Sequence, residues 1–253
     1  MSQSSPSSRP HPAPLPHPET HPGAHTGAGK GLAGQLNWLR AAVLGANDGI
    51  ISTAGMVLGV AGASSSPGLL LTAALAALVA GALSMAAGEY VSVSTQRDSE
   101  KAAVHMEQQE LHALPQAELQ ELAALLQQKG MQPATAWQAA CEITAHDALA
   151  AHSELELGIR PGDYTNPWHA AGASALAFTA GALVPLLALW LAPAAWTKAA
   201  VVVAVVMALA CTGWLSAVLG QAPRLRAMAR TVAGGVLTMG LTYALGCWVG
   251  AAL

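Results

Sequence analysis

Six side chains in the middle of this sequence are spaced to hold a metal ion. Glu107 and Glu110 stand three apart, as do Glu118 and Glu121, while His152 and Glu156 stand four apart. Residues at i and i+3 or i+4 share a helical face, so each pair can aim two donors at one point. Hard carboxylate oxygens with an occasional imidazole suit Fe²⁺, Mn²⁺, Co²⁺ or Zn²⁺. One such pair alone is ordinarily a solvated acidic face. Two ExxE pairs joined by a tight turn, beside a third acidic helix, shift the balance toward chelation.

Four more residues stand in surroundings far less hospitable to polar groups. Asp48, with Asn47 beside it, lies about ten residues into an apolar run, near the middle of a membrane if that run is a spanning helix. An ionised side chain at that depth costs roughly 2.5–3.5 kcal/mol on insertion scales, so a purely structural role explains it poorly. Asn47 would add an amide oxygen. Met85 and Glu89, four apart in the stretch LSMAAGEY, share one face of a second apolar helix. A thioether favours transition-type ions over Mg²⁺ or Ca²⁺, although its spacing alone also fits a lipid-facing filler. Together these residues order a path from Glu89 through Met85 to Asp48.

The elements that must position these groups follow from composition. Of 253 residues, 53% are hydrophobic and only 10% charged, too little charge to cover a soluble domain of this size. Five apolar segments, at 39–62, 68–93, 168–192, 195–220 and 231–253, are each long enough to cross about 30 Å of hydrocarbon as a helix. Pro185 predicts a kink in the third. Small residues, among them Gly81, Ser84, Gly88, Gly234, Gly235 and Gly246, allow close helix approach.

Charge then divides the chain. Eleven of its 14 carboxylates lie between residues 98 and 163. That stretch reads as three water-soluble helices. The first continues segment two to about Leu114. The second starts at Pro115 and stops at Gly130, and the third starts after Pro133 and stops at Gly158. Leu119, Leu122, Leu125 and Leu126 give the second helix an apolar stripe for packing. Arg9 and Lys30 precede segment one and Arg40 stands at its very start, Arg97, Lys101, Lys129 and Arg160 lie in the insertion, and Arg224, Arg226 and Arg230 precede segment five. Only Lys198 falls on the other side, so the positive-inside rule puts the N-terminus and the insertion in the cytoplasm and the C-terminus outside.

The expected architecture is an all-α polytopic membrane protein. It has a disordered His/Pro-rich tail (1–37), transmembrane helices 1–2 (38–94), a cytoplasmic acidic three-helix metal-binding domain (95–163) and transmembrane helices 3–5 (164–253). The tail lacks the apolar run of a signal peptide. Its His11, His17, His21 and His25 recur at the spacing of a loose metal-binding tract, which equally fits a neutral spacer. Cys141, Cys211 and Cys247 form no CxxC and imply no disulfide.

Two stretches carry a resemblance. LGANDGIISTAGMVLGVAGAS (44–64) and ALSMAAGEYVSVSTQRDSE (82–100) are similar to the signature of the vacuolar iron transporter family, in a bacterial-type form. SALAFTAGALVPLL (174–187) and LTYALGCWVG (241–250) fit its third and fifth helices, so the resemblance covers about 38–253. It implies a homodimer of five-helix subunits that exports Fe²⁺ and similar divalent ions from the cytoplasm, coupled to inward proton movement. By position, Asp48 and Met85 match pore residues, Glu89 sits in the matching GEY motif, and Glu107, Glu110, Glu118, Glu121 and Glu156 match ligands of the domain. Where some members carry methionines in the third domain helix, this chain has Ala151 and His152, with His152 the candidate ligand and ion preference open.

Other classes fit less well. A membrane-anchored ferroxidase would need a di-iron ExxH pattern, but Glu142 and His146 are four apart. A metal sensor or buffer would leave Asp48 unexplained. With no P-loop and no basic patch, neither nucleotide nor nucleic acid is an expected partner. The expected partners are divalent ions (Fe²⁺, with Mn²⁺, Co²⁺ or Zn²⁺), protons and the bilayer, with no prosthetic group and no catalytic residue. A divalent-metal channel or uniporter is the surviving alternative. The expected membrane is a bacterial inner membrane, or alternatively a vacuole-type membrane.

Overall fold

A computed structural model describes residues 28–252, with side chains from residue 42. The four tail histidines lie outside that range. Seven α-helices run in order: α1 (Ala28–Ala63), α2 (Pro67–Ala113), α3 (Pro115–Gln128), α4 (Pro133–Leu155), α5 (Pro167–Leu191), α6 (Thr197–Leu219) and α7 (Arg224–Ala252). No strand occurs among the described residues. Four of these helices begin with proline, whose missing N–H costs nothing in a first turn and whose fixed φ suits a helix start. Asn166 caps α5 by accepting from the Trp168 N–H at 2.9 Å.

Five helices, α1, α2, α5, α6 and α7, are long and apolar enough to cross a membrane, and the protein is an integral membrane protein. Of these α1 is the most enclosed and α2 and α7 the least. The membrane core joins Ile50, Ala54, Val57, Leu58 and Ala61 of α1 to Val201, Val205 and Leu209 of α6 and Met239 of α7. Without a hydrophobic driving force in lipid, close packing of small residues holds such bundles together. A Cβ on Gly49 would fall 2.0 Å from the Phe178 carbonyl oxygen, and one on Gly246 would fall 1.8 Å from that of Gly59. Backbone therefore meets backbone where α1 crosses α5 and α7. Pro185 is buried inside α5, which continues through it. α1 starts at Ala28, within the stretch expected to be tail, and α7 starts seven residues before its expected apolar segment.

α2 is a single helix of 47 residues, about 70 Å long. About 30 Å of that suffices to span hydrocarbon. The remainder runs on to meet α3 and α4. Leu122, Ala123 and Leu126 of α3 bury against Ala136 and Ala140 of α4, with Leu119 and Leu155 at the margin, so the leucine stripe packs as its spacing predicts. One break was not legible in advance. Asp147 takes extended backbone angles (φ −160°, ψ 93°) inside α4, and its carboxylate accepts from the Ala150 N–H at 2.9 Å. An aspartate that caps the restarted turn competes with the helix it interrupts.

Candidate metal cluster and membrane path

The break at Asp147 lies five residues before His152, so the short segment it caps carries that ring to the meeting point of three helices. There Glu107 of α2, Glu118 of α3 and His152 of α4 each offer a donor atom, all within 4.8 Å of one another. His152 is fully buried, and its Nδ1 stands 3.1 Å from Glu107, 3.6 Å from Glu118 and 3.7 Å from Glu156. Glu107 and Glu118 are buried as well.

These donors converge without satisfying each other. Glu107 Oε1 and both ring nitrogens of His152 have no hydrogen-bond partner among the described residues. Buried polar atoms left unpaired are costly, and three at one point fit a cation that would engage them. Burial pushes the Glu107 carboxyl up to about 7, helped by the negative charges of Glu156, Glu118, Glu110 and Glu121. Burial raises Glu118 too, with Glu121 adding to the rise and His152 opposing it. Carboxylates that repel one another in a dry site gain most from a divalent cation. Of the six side chains whose spacing pointed to a metal, four thus gather at one place. Glu110 and Glu121 stand exposed at its edge.

The membrane residues are arranged differently. From Asp48 to the end of α1 at Ala63 the helix climbs fifteen residues, about 22 Å. It is exposed on the outside of the bundle, and its main-chain oxygen accepts a bond from the Ser52 hydroxyl at 2.6 Å. Met56, one turn beyond Ser52, is exposed on the same stripe. Asn47 faces elsewhere. Its side-chain oxygen, the amide oxygen expected beside Asp48, accepts from the Thr212 hydroxyl of α6 at 2.6 Å. Successive residues of a helix differ by about 100°, which turns Asn47 inward and Asp48 outward. Met85 and Glu89 are each half-buried on α2.

Thr212 had no signal in the sequence, because its partner lies 165 residues away. The stripe Asp48, Ser52, Met56 could have been read from its four-residue spacing. Ser52 and Met56 line an open groove between α1 and α7, together with Gly55, Thr238, Thr242 and Gly246.

Comparisons with known proteins agree on one group. A family profile described as the VIT family matches residues 39–247. The chain is 43% identical to a protein named "Vacuolar iron transporter" from Acanthamoeba castellanii, over 86% of this chain and 80% of that one. It is 38% identical to "Vacuolar iron transporter homolog 3" of Arabidopsis thaliana, over 81% of this chain and 80% of the relative. It is likewise 38% identical to "Vacuolar iron transporter homolog 5" of Oryza sativa subsp. japonica, over 85% and 81%.

Proposed function

The chain belongs to the VIT family, and from that premise we propose that it is a metal-ion transporter carrying Fe²⁺ and related divalent ions out of the cytoplasm in exchange for protons. The observation that carries this reading is the buried cluster of Glu107, Glu118 and His152, in which Glu107 Oε1 and both ring nitrogens of His152 lack a hydrogen-bond partner among the described residues. In this reading 95–163 is a cytoplasmic domain that collects ions. Glu110, Glu121 and Glu156 widen the acidic entrance, and the N-terminus lies on the same side. Glu89 and Met85 then pass the ion inward toward Asp48.

An exposed carboxylate inside a spanning segment needs cover from lipid. We therefore take the working unit as a homodimer in which the Asp48–Ser52–Met56 stripes of two subunits line the path between them. A proton and a metal ion compete for one carboxylate there, which is the minimum that exchange requires. Asn47, held by Thr212, would fix the rotation of α1 rather than ligate the ion.

Proteoliposomes loaded at one pH and diluted into another, with Fe²⁺, Mn²⁺, Co²⁺ and Zn²⁺ offered in turn, test this directly. Metal uptake should follow the gradient and be matched by proton counterflow. Asp48→Asn keeps the size of the side chain but cannot titrate, so it should lose gradient-driven uptake and proton flux together. Metal flux without proton flux in the wild type would make the protein a uniporter. Full gradient-driven uptake in Asp48→Asn would remove Asp48 from the exchange.

A further inference from the structure

Lys198, at the start of α6, is among the described residues the one basic side chain at its end of the bundle, and no described acidic side chain joins it there. Among the described residues the carboxylates fall at Asp48, Glu89 and eleven positions between 98 and 163, none of them in or beside the α5–α6 connection. The lysine is exposed, with its ammonium 5.3 Å from the centre of the Tyr243 ring on α7. Trp190 and Trp196 stand exposed at the same end, as aromatic rings do at the headgroup level of a bilayer.

Below Lys198 opens an apolar groove of about 530 Å³. Val202 and Val203 of α6 form one wall, Val236 and Gly240 of α7 the other, and Leu58 of α1 lies at its base. Val236 is seven residues deeper than Tyr243 along α7, roughly 10 Å toward the membrane centre. A Cβ on Gly240 would meet no atom within 4 Å, so the groove is open along that wall.

We infer that this groove seats one acyl chain of an anionic phospholipid, with the lipid phosphate held by Lys198. The charge complementarity is specific: a cation with no acidic side-chain partner among the described residues caps an apolar slot. Tyr243 adds a ring face that orients the ammonium and a phenol at headgroup depth. A zwitterionic lipid would fill the slot but leave the positive charge less well met.

The purified full-length protein in detergent is titrated with phosphatidylglycerol, phosphatidylcholine and inorganic phosphate. Bound lipid and subunit number are read by native mass spectrometry, and thermal stability is followed in parallel. Wild type should prefer phosphatidylglycerol about fivefold, the weight of one lysine at an anionic surface. Lys198→Gln should bring the ratio to about one with the melting temperature of the lipid-free protein unchanged, and Lys198→Arg should restore the preference. Gly240→Leu, which fills the slot and suits a helix, should lose tight binding of both lipids. Equal binding of the two lipids by wild type would overturn the inference, as would an unchanged preference in Lys198→Gln or unchanged binding in Gly240→Leu. Stabilisation by phosphate alone equal to that by phosphatidylglycerol would reassign the lysine to a free anion. A change in subunit number in Gly240→Leu, without a change in bound lipid, would assign the groove to a second copy of the chain.

Discussion

Glu107 is the residue at which protonation and metal binding meet. Its carboxyl, pushed up to about 7, holds a proton in the folded protein well above the pH at which an unfolded glutamate has lost it. Without metal, the folded state therefore binds more protons than the unfolded state between about 4.5 and 7, and stability falls as pH rises through that window. Glu118 is shifted in the same direction and adds to the fall. A divalent ion replaces the proton, so its apparent affinity should drop up to about tenfold for each pH unit below 7 as the Glu107 proton competes. Calorimetric titration with Zn²⁺ between pH 5.5 and 8 measures the second effect, and melting curves of the chelator-treated protein measure the first. Glu107→Gln should flatten both profiles; melting temperatures that rise between pH 5 and 7 in the chelated wild type would contradict the assignment.

At the scale of elements, the link between Thr212 and Asn47 joins α6 to α1 next to the exposed Asp48. Thr212→Val is nearly isosteric but cannot donate, and should cost about 1 kcal/mol, with Thr212→Ser recovering most of it. Detergent melting curves of the two variants check this, and a transport rate reduced only in Thr212→Val would tie the rotation of α1 to function. The helices themselves were largely legible beforehand, because apolar length, prolines at first turns and the leucine stripe are local signals. The ExxE spacing and the four-residue interval from His152 to Glu156 foretold a shared face. What they could not foretell is which of the six donors would be buried, since that depends on the angle at which α2, α3 and α4 meet. Asp147 changes that angle for α4 through a side-chain cap that its neighbours in sequence do not announce. The direction of Asn47 was hidden for a related reason: its partner belongs to a helix 165 residues on.

For the whole molecule, the outward stripe of Asp48, Ser52 and Met56 is where the proposed homodimer would meet. If two α1 helices face each other, Met56→Cys in a background lacking Cys141, Cys211 and Cys247 should form a cross-linked dimer under mild oxidation. A cysteine at Trp190, exposed on α5, serves as the control and should remain monomeric on a denaturing gel. Cross-linking at position 190 and none at 56 would place the contact elsewhere. A mechanical consequence follows from the unbroken course of α2. Glu89 and Glu107 are separated by eighteen residues, which is five full turns and about 27 Å, so they project from the same side of one rod. Gln96 and Glu100, joined by a 2.7 Å hydrogen bond, flank the line between them. A helix with no hinge behaves as an elastic drive shaft: a twist where Glu107 seats against His152 is passed toward Glu89 with only the helix's own compliance, and no joint, to absorb it.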